Sequence, residues 1–188
     1  WTTFLILCSV FLFTMANFMY LMYVVAFAKS EGIPYIYAAQ ALSIVGISNA
    51  VGSFSLASLS DLFTNRLKGL LVSYSLVAAG LLLLVIMPVS YPLIVFSSFI
   101  FGVGMGGYYP IVPALVGELF GQKHIGAIYG TTLLVGGIAA FLGPVVGGLL
   151  YDLTGRYYFS IGTALIFALG ACGTAALLPG KKPQCEEG

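Results

Sequence analysis

The chain has 188 residues, of which 60% are hydrophobic and 7% are charged, and its formal net charge is +1. Soluble domains carry about 25% charged residues, so this composition excludes a soluble globular domain, and the small net charge gives no sign of a nucleic-acid partner. The apolar runs are continuous rather than alternating, which argues against a transmembrane β-barrel. The sequence therefore predicts an all-α transmembrane protein.

Six apolar stretches follow one another along the chain, each near the length of about 20 residues that a helix needs to cross a bilayer. They cover residues 3–28, 36–59, 70–87, 93–116, 126–156 and 159–178. We expect residues 1–178 to form one six-helix bundle and the polar residues 179–188 to form a cytoplasmic tail.

The basic residues predict the orientation of the bundle. An even number of spans places both termini on one side of the membrane, and Lys and Arg concentrate on the cytoplasmic side. Lys29 and Arg156 fall on one side, and the other basic residues share the side of the termini: Arg66, Lys68, Lys123, Lys181 and Lys182. Both termini of this segment are therefore expected to be cytoplasmic, in a plasma (inner) membrane.

Every Asp, Glu, Lys, Arg and His lies in a loop, at a helix end or in the tail. Charge inside a span is the usual mark of ion or proton coupling, so this segment alone does not resemble a proton pump or a voltage sensor. The sequence also offers no nucleophile, general base or metal-ligand set. We therefore expect no enzymatic activity, no metal and no cofactor.

Polar side chains in the first two spans form two pairs that could face a cavity. Asn17 and Tyr20 are three residues apart and share a helix face. They could line a substrate cavity, or they could make interhelical hydrogen bonds worth about 1 kcal/mol. Asn49 and Ser53 are four residues apart in the second span, and for them too helix packing is the alternative to a binding role.

The fourth and fifth spans are rich in glycine and contain internal prolines. In the fourth span, four glycines precede Tyr108, Tyr109 and Pro110, and such broken helices line substrate sites in transporters. Adjacent tyrosines project in different directions, so at most one is expected to contact a substrate. We predict hinges at Gly104, Gly107, Pro110, Gly143 and Pro144, although close helix–helix contact would produce the same composition.

Three segments resemble the C-terminal six-helix half of a major facilitator superfamily transporter, and the resemblance extends over nearly the whole chain. The segment 117–121 (GELFG) is followed by 128–130 (IYG). Residues 143–157 carry Gly-Pro-x-x-x-Gly and then YDxTGxY. The loop at 60–68 lies where the family has a degenerate charged motif, from which Ala57, Leu62, Thr64 and Asn65 depart. Together these segments are similar to the oxalate/formate antiporter and monocarboxylate transporter branch.

The resemblance implies a second six-helix bundle as partner, with a small organic solute bound between the two halves. It implies alternating-access transport of a monocarboxylate or dicarboxylate by proton symport or anion exchange. It also implies that Asp61, Arg66 and Glu118 form a charge cluster that gates the cytoplasmic side, with a surface ion pair as the plain alternative. Asn49 and Ser53 occupy the positions where the resembling carriers place a charged pair.

The sequence departs from that branch in lacking a cation for the substrate carboxylate within the second and fifth spans. The substrate is then not a simple anion, or the cation comes from the other half, or hydroxyl and amide groups bind the anion. A major facilitator exporter of a neutral or drug-like solute is one alternative. A non-transporting receptor or assembly partner with the same fold is another.

Overall fold

The computed structural model describes residues 1–62, 66–121 and 125–178, and the described residues form six α-helices. The predicted tail at 179–188 lies outside the described residues. The helices are α1 (Thr2–Ser30), α2 (Tyr35–Leu62), α3 (Arg66–Ile86), α4 (Tyr91–Phe120), α5 (Ile125–Thr154) and α6 (Tyr157–Ala176).

All six helices are long and apolar enough to cross a membrane, which confirms the six predicted spans. Three glycines lie at the C-terminal ends of helices α1, α4 and α5. Gly32, Gly121 and Gly155 have φ values of 85°, 75° and 69°, a left-handed conformation that glycine adopts without a steric penalty. Helices α1, α4 and α5 therefore end at or just before these glycines.

A stack of aromatic rings joins α1, α3 and α4 in the core. The ring of Phe13 lies 4.3 Å from Tyr74 and 4.7 Å from Tyr108, measured between centroids. One to two turns further along α1, Tyr20 stacks on Phe101 at 3.9 Å. These large rings fill the bundle and fix α1 against α4, so the face of α1 beside this stack is held in one position.

Helix α4 packs against two neighbours through separate sets of glycines. A methyl group added at Gly102 or Gly106 would overlap α2, and one added at Gly104 would lie 2.6 Å from the carbonyl oxygen of Ser73 in α3. A methyl group at Gly107 would lie 2.5 Å from the side chains of both α2 and α3. The glycines thus allow three backbones to approach closely. Because α4 is continuous through Gly104, Gly107 and Pro110, a hinge there stays a prediction.

Helix α5 is attached to the bundle mainly through α1. A methyl group at Gly143 would lie 3.0 Å from the carbonyl oxygen of Met15, and the ring of Tyr23 covers Gly147. The Tyr23 hydroxyl donates a hydrogen bond of 2.6 Å to the carbonyl oxygen of Pro144. Only 17% of the most apolar stretch of α5 is buried, and the corresponding share for α2 is 22%. For α1 and for α4 the share is 56%. Helices α2 and α5 therefore present large apolar faces to the outside.

Candidate functional site

A cavity of about 230 Å³ lies where α1, α4 and α5 meet. Helices α4 and α5 make few contacts with each other, and the space between them forms the cavity. Its lining consists of Thr14, Phe18, Tyr108, Tyr109, Val112, Tyr129, Thr132, Leu133, Gly136, Gly137 and Ala140. The helix packing described above thus leaves a pocket beside the aromatic stack of the core.

The lining combines aromatic rings with hydroxyl groups and contains no charged residue. Tyr108, Tyr109 and Tyr129 each supply a hydroxyl group that can donate or accept a hydrogen bond. The hydroxyl proton of Thr132 is already used, because its Oγ1 donates to the carbonyl oxygen of Tyr129 at 2.7 Å. Small organic ligands are typically bound in this way, by apolar walls with a few placed polar groups.

The structure brings both predicted tyrosines of α4 to this cavity. The rings of Tyr108 and Tyr109 are 5.3 Å apart and inclined at 73°, so adjacent side chains cover different parts of one wall. The ring of Tyr108 packs against the ring of Phe13. Tyr109 is less enclosed, and 49% of its surface is exposed. That at most one of the two tyrosines contacts a substrate stays a prediction.

Asn17 and Tyr20 are buried in the bundle and are not part of the lining. The Tyr20 hydroxyl lies 2.8 Å from the Oγ of Ser98, which links α1 to α4. The Asn17 amide nitrogen donates to the carbonyl oxygen of Phe13 at 2.7 Å, and its Oδ1 atom has no hydrogen-bond partner in the described part of the chain. Of the two roles considered for this pair, the contacts match the interhelical one for Tyr20.

Asn49 and Ser53 lie half-buried on α2 beside α4, away from the cavity. The backbone of Asn49 is in tight contact with Gly106, and the Ser53 hydroxyl donates to the carbonyl oxygen of Gly106 at 3.0 Å. These contacts are those of helix packing. A substrate contact of Asn49 or Ser53 stays a prediction, for a cavity completed by a second six-helix half.

Two of the three predicted gate residues are in contact. Arg66 begins α3 and Glu118 lies in the last turn of α4, and the Arg66 Nε is 2.9 Å from the Glu118 Oε1. Their side chains are 32% and 27% exposed. The side chain of Asp61 lies outside what the structure describes. The ion pair joins the start of α3 to the end of α4. This position is compatible with a cytoplasmic gate and equally with a plain surface contact.

Of the eleven lining residues, the sequence analysis predicted only Tyr108 and Tyr109 as site residues, and the hydroxyl-bearing residues that it missed are Thr14, Tyr129 and Thr132. A threonine within an apolar helix gives little signal because it can satisfy its hydroxyl on its own backbone. Thr14 and Phe18 are four residues apart and therefore share a face of α1, a weak pattern that could have indicated them. Pro113, three residues after Pro110, was also not singled out.

Comparisons with known proteins assign the chain to a family. The family model described as "Major Facilitator Superfamily" matches residues 3–185. Monocarboxylate transporter 12 of Xenopus laevis is 28% identical over 163 residues, which are 83% of this chain and 35% of that protein. Monocarboxylate transporter 13 of Rattus norvegicus is 28% identical over 158 residues, 84% of this chain and 37% of that protein. The chain therefore spans about a third of the length of these curated relatives.

A solved structure shares the fold. The crystal structure of the E. coli fucose:proton symporter superposes with a TM-score of 0.80 over 95% of this chain and 43% of that protein. Since only 15% of the residues are identical, this likeness shows the arrangement of the helices and nothing about the solute.

Proposed function

Because the chain belongs to the Major Facilitator Superfamily, we propose that it forms one half of a transporter that moves a small carboxylate by alternating access. The family is one of membrane transporters rather than an enzyme class, and the six apolar helices make the chain an integral multi-pass membrane protein. The solute, the coupling and the partner half are the parts that we propose here.

The observation that carries the proposal is the cavity between α1, α4 and α5. Its mixed aromatic and hydroxyl lining is that of a site for a small organic solute. Relatives named monocarboxylate transporters favour a carboxylate as that solute. In this half, the hydroxyl groups of Tyr108, Tyr109 and Tyr129 can donate hydrogen bonds to a carboxylate oxygen, and the hydroxyl of Thr14, which hydrogen-bonds with Tyr108, is a further donor in the lining.

A second six-helix half would complete the binding site. The lining of the cavity contains no cation, so we propose that the positive charge facing the carboxylate comes from that half. The largely exposed faces of α2 and α5 offer the surface on which it would dock. Transport would then proceed by proton symport or anion exchange, with both termini of this segment cytoplasmic.

Uptake of labelled oxalate, formate and lactate tests this proposal. The protein is the complete transporter, meaning this chain with its second half, reconstituted in proteoliposomes with and without a pH gradient. Saturable uptake supports a carboxylate transporter, acceleration by the gradient supports proton symport, and exchange without gradient dependence supports an antiporter. Absence of uptake of all three by folded protein would contradict the proposal.

A matched pair of variants connects the uptake to the cavity. Tyr109 and Tyr91 both lie on α4 and are 49% and 37% exposed, but only Tyr109 lines the cavity. We expect Tyr109→Phe to raise KM about threefold to tenfold through the loss of one hydrogen bond, and Tyr91→Phe to leave KM unchanged. Equal changes in KM for the two substitutions would contradict the assignment of this cavity as the binding site.

A neutral or drug-like solute is the second candidate function. It is favoured by the absence of charge from the cavity lining. Competition distinguishes the two candidates, because excess carboxylate does not reduce the uptake of a solute that is recognised through aromatic and hydroxyl contacts alone.

A further inference from the structure

A second concave surface, the α2/α4 groove, lies between the first halves of α2 and α4. Its volume is about 350 Å³, and its lining is entirely apolar: Ile44, Ile47, Val95, Phe96 and Phe99. The groove is open to the outside of the bundle, because Ile47, Phe96 and Phe99 are 69%, 57% and 46% exposed.

The groove and the cavity lie on different sides of α4. Successive residues of an α-helix are turned by about 100°, so Phe96 points about 160° away from Val112, which lines the cavity. On α2, Ile47 points about 160° away from Asn49, which is expected to face a cavity completed by the second half. The α2/α4 groove therefore faces away from the second half, and within a membrane this side of the two helices meets lipid.

A pair of hydrogen-bonded polar side chains lies at the end of the groove that is nearer to the membrane surface. Tyr91 is the first residue of α4, and its hydroxyl donates to the Oε1 atom of Gln40, one turn before Ile44 on α2. The ring of Tyr37 packs against that of Tyr91, with 5.1 Å between centroids. In the described part of the chain no hydrogen bond uses the amide N–H groups of Gln40, which can therefore donate to a bound molecule.

The polar pair and the apolar walls together select the type of lipid. The first two turns of α2 (35–42) and of α4 (91–98) contain no charged residue, so a phosphate headgroup would find no cation there, whereas a neutral hydroxyl group can accept from Gln40. Ile44, Ile47 and Val95 are β-branched and stiff. A rigid molecule loses less conformational entropy than an acyl chain when it is ordered on such a wall.

We propose that the α2/α4 groove binds a sterol, a flat and uncharged lipid with a single hydroxyl group. The ring system lies against the phenyl groups of Phe96 and Phe99, and the hydroxyl oxygen accepts a hydrogen bond from the amide of Gln40, which Tyr91 holds in place. This site is independent of the solute, since none of its residues lines the transport cavity.

Photolabelling tests the site in the complete transporter, reconstituted in phosphatidylcholine vesicles that contain a photoreactive cholesterol analogue. We expect saturable labelling of the groove residues of α2 and α4, which unlabelled cholesterol suppresses. Epicholesterol, which differs only in the orientation of its hydroxyl group, should compete about threefold to tenfold less well, the effect of one hydrogen bond. Labelling that does not saturate would indicate ordinary lipid contact and overturn the proposal. Absence of labelling would overturn it as well, because acyl chains or the second half would then cover the groove.

A matched pair of phenylalanine variants locates the site. Phe96 lines the groove, whereas Phe54 on α2 is 79% exposed and lies outside it. We expect Phe96→Ala to weaken cholesterol competition about fivefold to tenfold through the loss of apolar contact, and Phe54→Ala to leave it unchanged. Both side chains are exposed, so the unfolding temperature of each variant should stay close to that of the parent. Equal effects of the two substitutions on labelling would overturn the assignment of the groove.

Substitution of Gln40 tests the hydroxyl contact separately. Gln40→Leu keeps the apolar walls and removes the amide donor, so saturable labelling should remain while cholesterol and epicholesterol compete equally. A Gln40→Leu variant that still prefers cholesterol would overturn the role of Gln40. Solute uptake is measured in sterol-free vesicles, so failure of the proposed transport function would leave the labelling results, and this inference, unaffected.

Discussion

The hydroxyl of Ser53 connects α2 to α4 at the point where Pro110 interrupts α4. It donates to the Gly106 carbonyl oxygen, whereas Ser55, two residues away on α2, donates to the carbonyl oxygen of Val51 in its own helix at 2.7 Å. The two serines have the same chemistry and the same helix, but only one satisfies an acceptor that would otherwise be left without a partner. An unsatisfied carbonyl in a membrane protein interior destabilises the fold.

We therefore expect Ser53→Ala to lower the free energy of unfolding by about 1 kcal/mol, within the range measured for interhelical hydrogen bonds in membranes. Ser55→Ala should change the free energy of unfolding by only a few tenths of the effect of Ser53→Ala. The measurement is thermal unfolding of the purified chain in detergent. A Ser53→Ala protein as stable as the parent would show that the contact with Gly106 contributes no net stability.

The sequence could indicate which polar residues enter the bundle but not which of them meet a ligand. Asn17, Tyr20 and Ser53 all lie in apolar helices, where a polar group must find a partner. Whether that partner is a solute or another helix depends on contacts between residues distant in the chain, such as Tyr20 with Ser98. Tyr108 and Tyr109 line the cavity between α1, α4 and α5, and a contact of either residue with a substrate stays a prediction.

At the scale of the helices, the glycines of α4 serve close packing. Gly106 has the backbone of α2 where a side chain would be, whereas Gly46 in α2 has open space around its Cα. Alanine stabilises a helix by about 1 kcal/mol relative to glycine, so a substitution reveals whether space or propensity dominates at each position.

We expect Gly46→Ala to leave the unfolding temperature unchanged or to raise it, and Gly106→Ala to lower it, because the added methyl group would overlap Asn49. Thermal unfolding of the two variants, compared with the parent chain, gives the sign of each effect. A Gly106→Ala variant that is as stable as Gly46→Ala would mean that α4 can move away from α2 at low cost, as a hinge would require.

The number and approximate limits of the helices followed from the sequence because each helix is a continuous apolar run. Which side of each helix is buried did not follow. In a membrane the outer face is as apolar as the inner one, so Gly46 and Gly106 look alike in the sequence. The same lack of contrast hid Thr14 and Tyr129, whose position at the cavity depends on how α1 and α5 pack.

At the scale of the whole molecule, the ion pair between Arg66 and Glu118 joins the start of α3 to the end of α4. A pair this exposed contributes about 0–1 kcal/mol to stability, but a similar amount shifts a balance between two conformations about fivefold. We expect Glu118→Gln to alter the uptake rate about fivefold and to lower the unfolding temperature by no more than about 4 °C. Lys68→Gln, which removes an exposed charge one turn or less from Arg66, should alter neither, and equal behaviour of the two variants would reduce the pair to a surface contact.

The exposed face of α5 is where a second half would meet this chain. Gly126, Gly130 and Gly137 on that face have open space around them, and Gly137 also borders the cavity. A partner helix can approach such small residues closely, which would place it directly over the site.

We expect Gly130→Leu to leave the stability of this chain unchanged but to abolish co-purification with the second half. Gly173 in α6 is equally open, so Gly173→Leu is the control and should retain pairing. Loss of pairing in neither variant would mean that the second half docks elsewhere, and the cavity would then need to be closed by another surface.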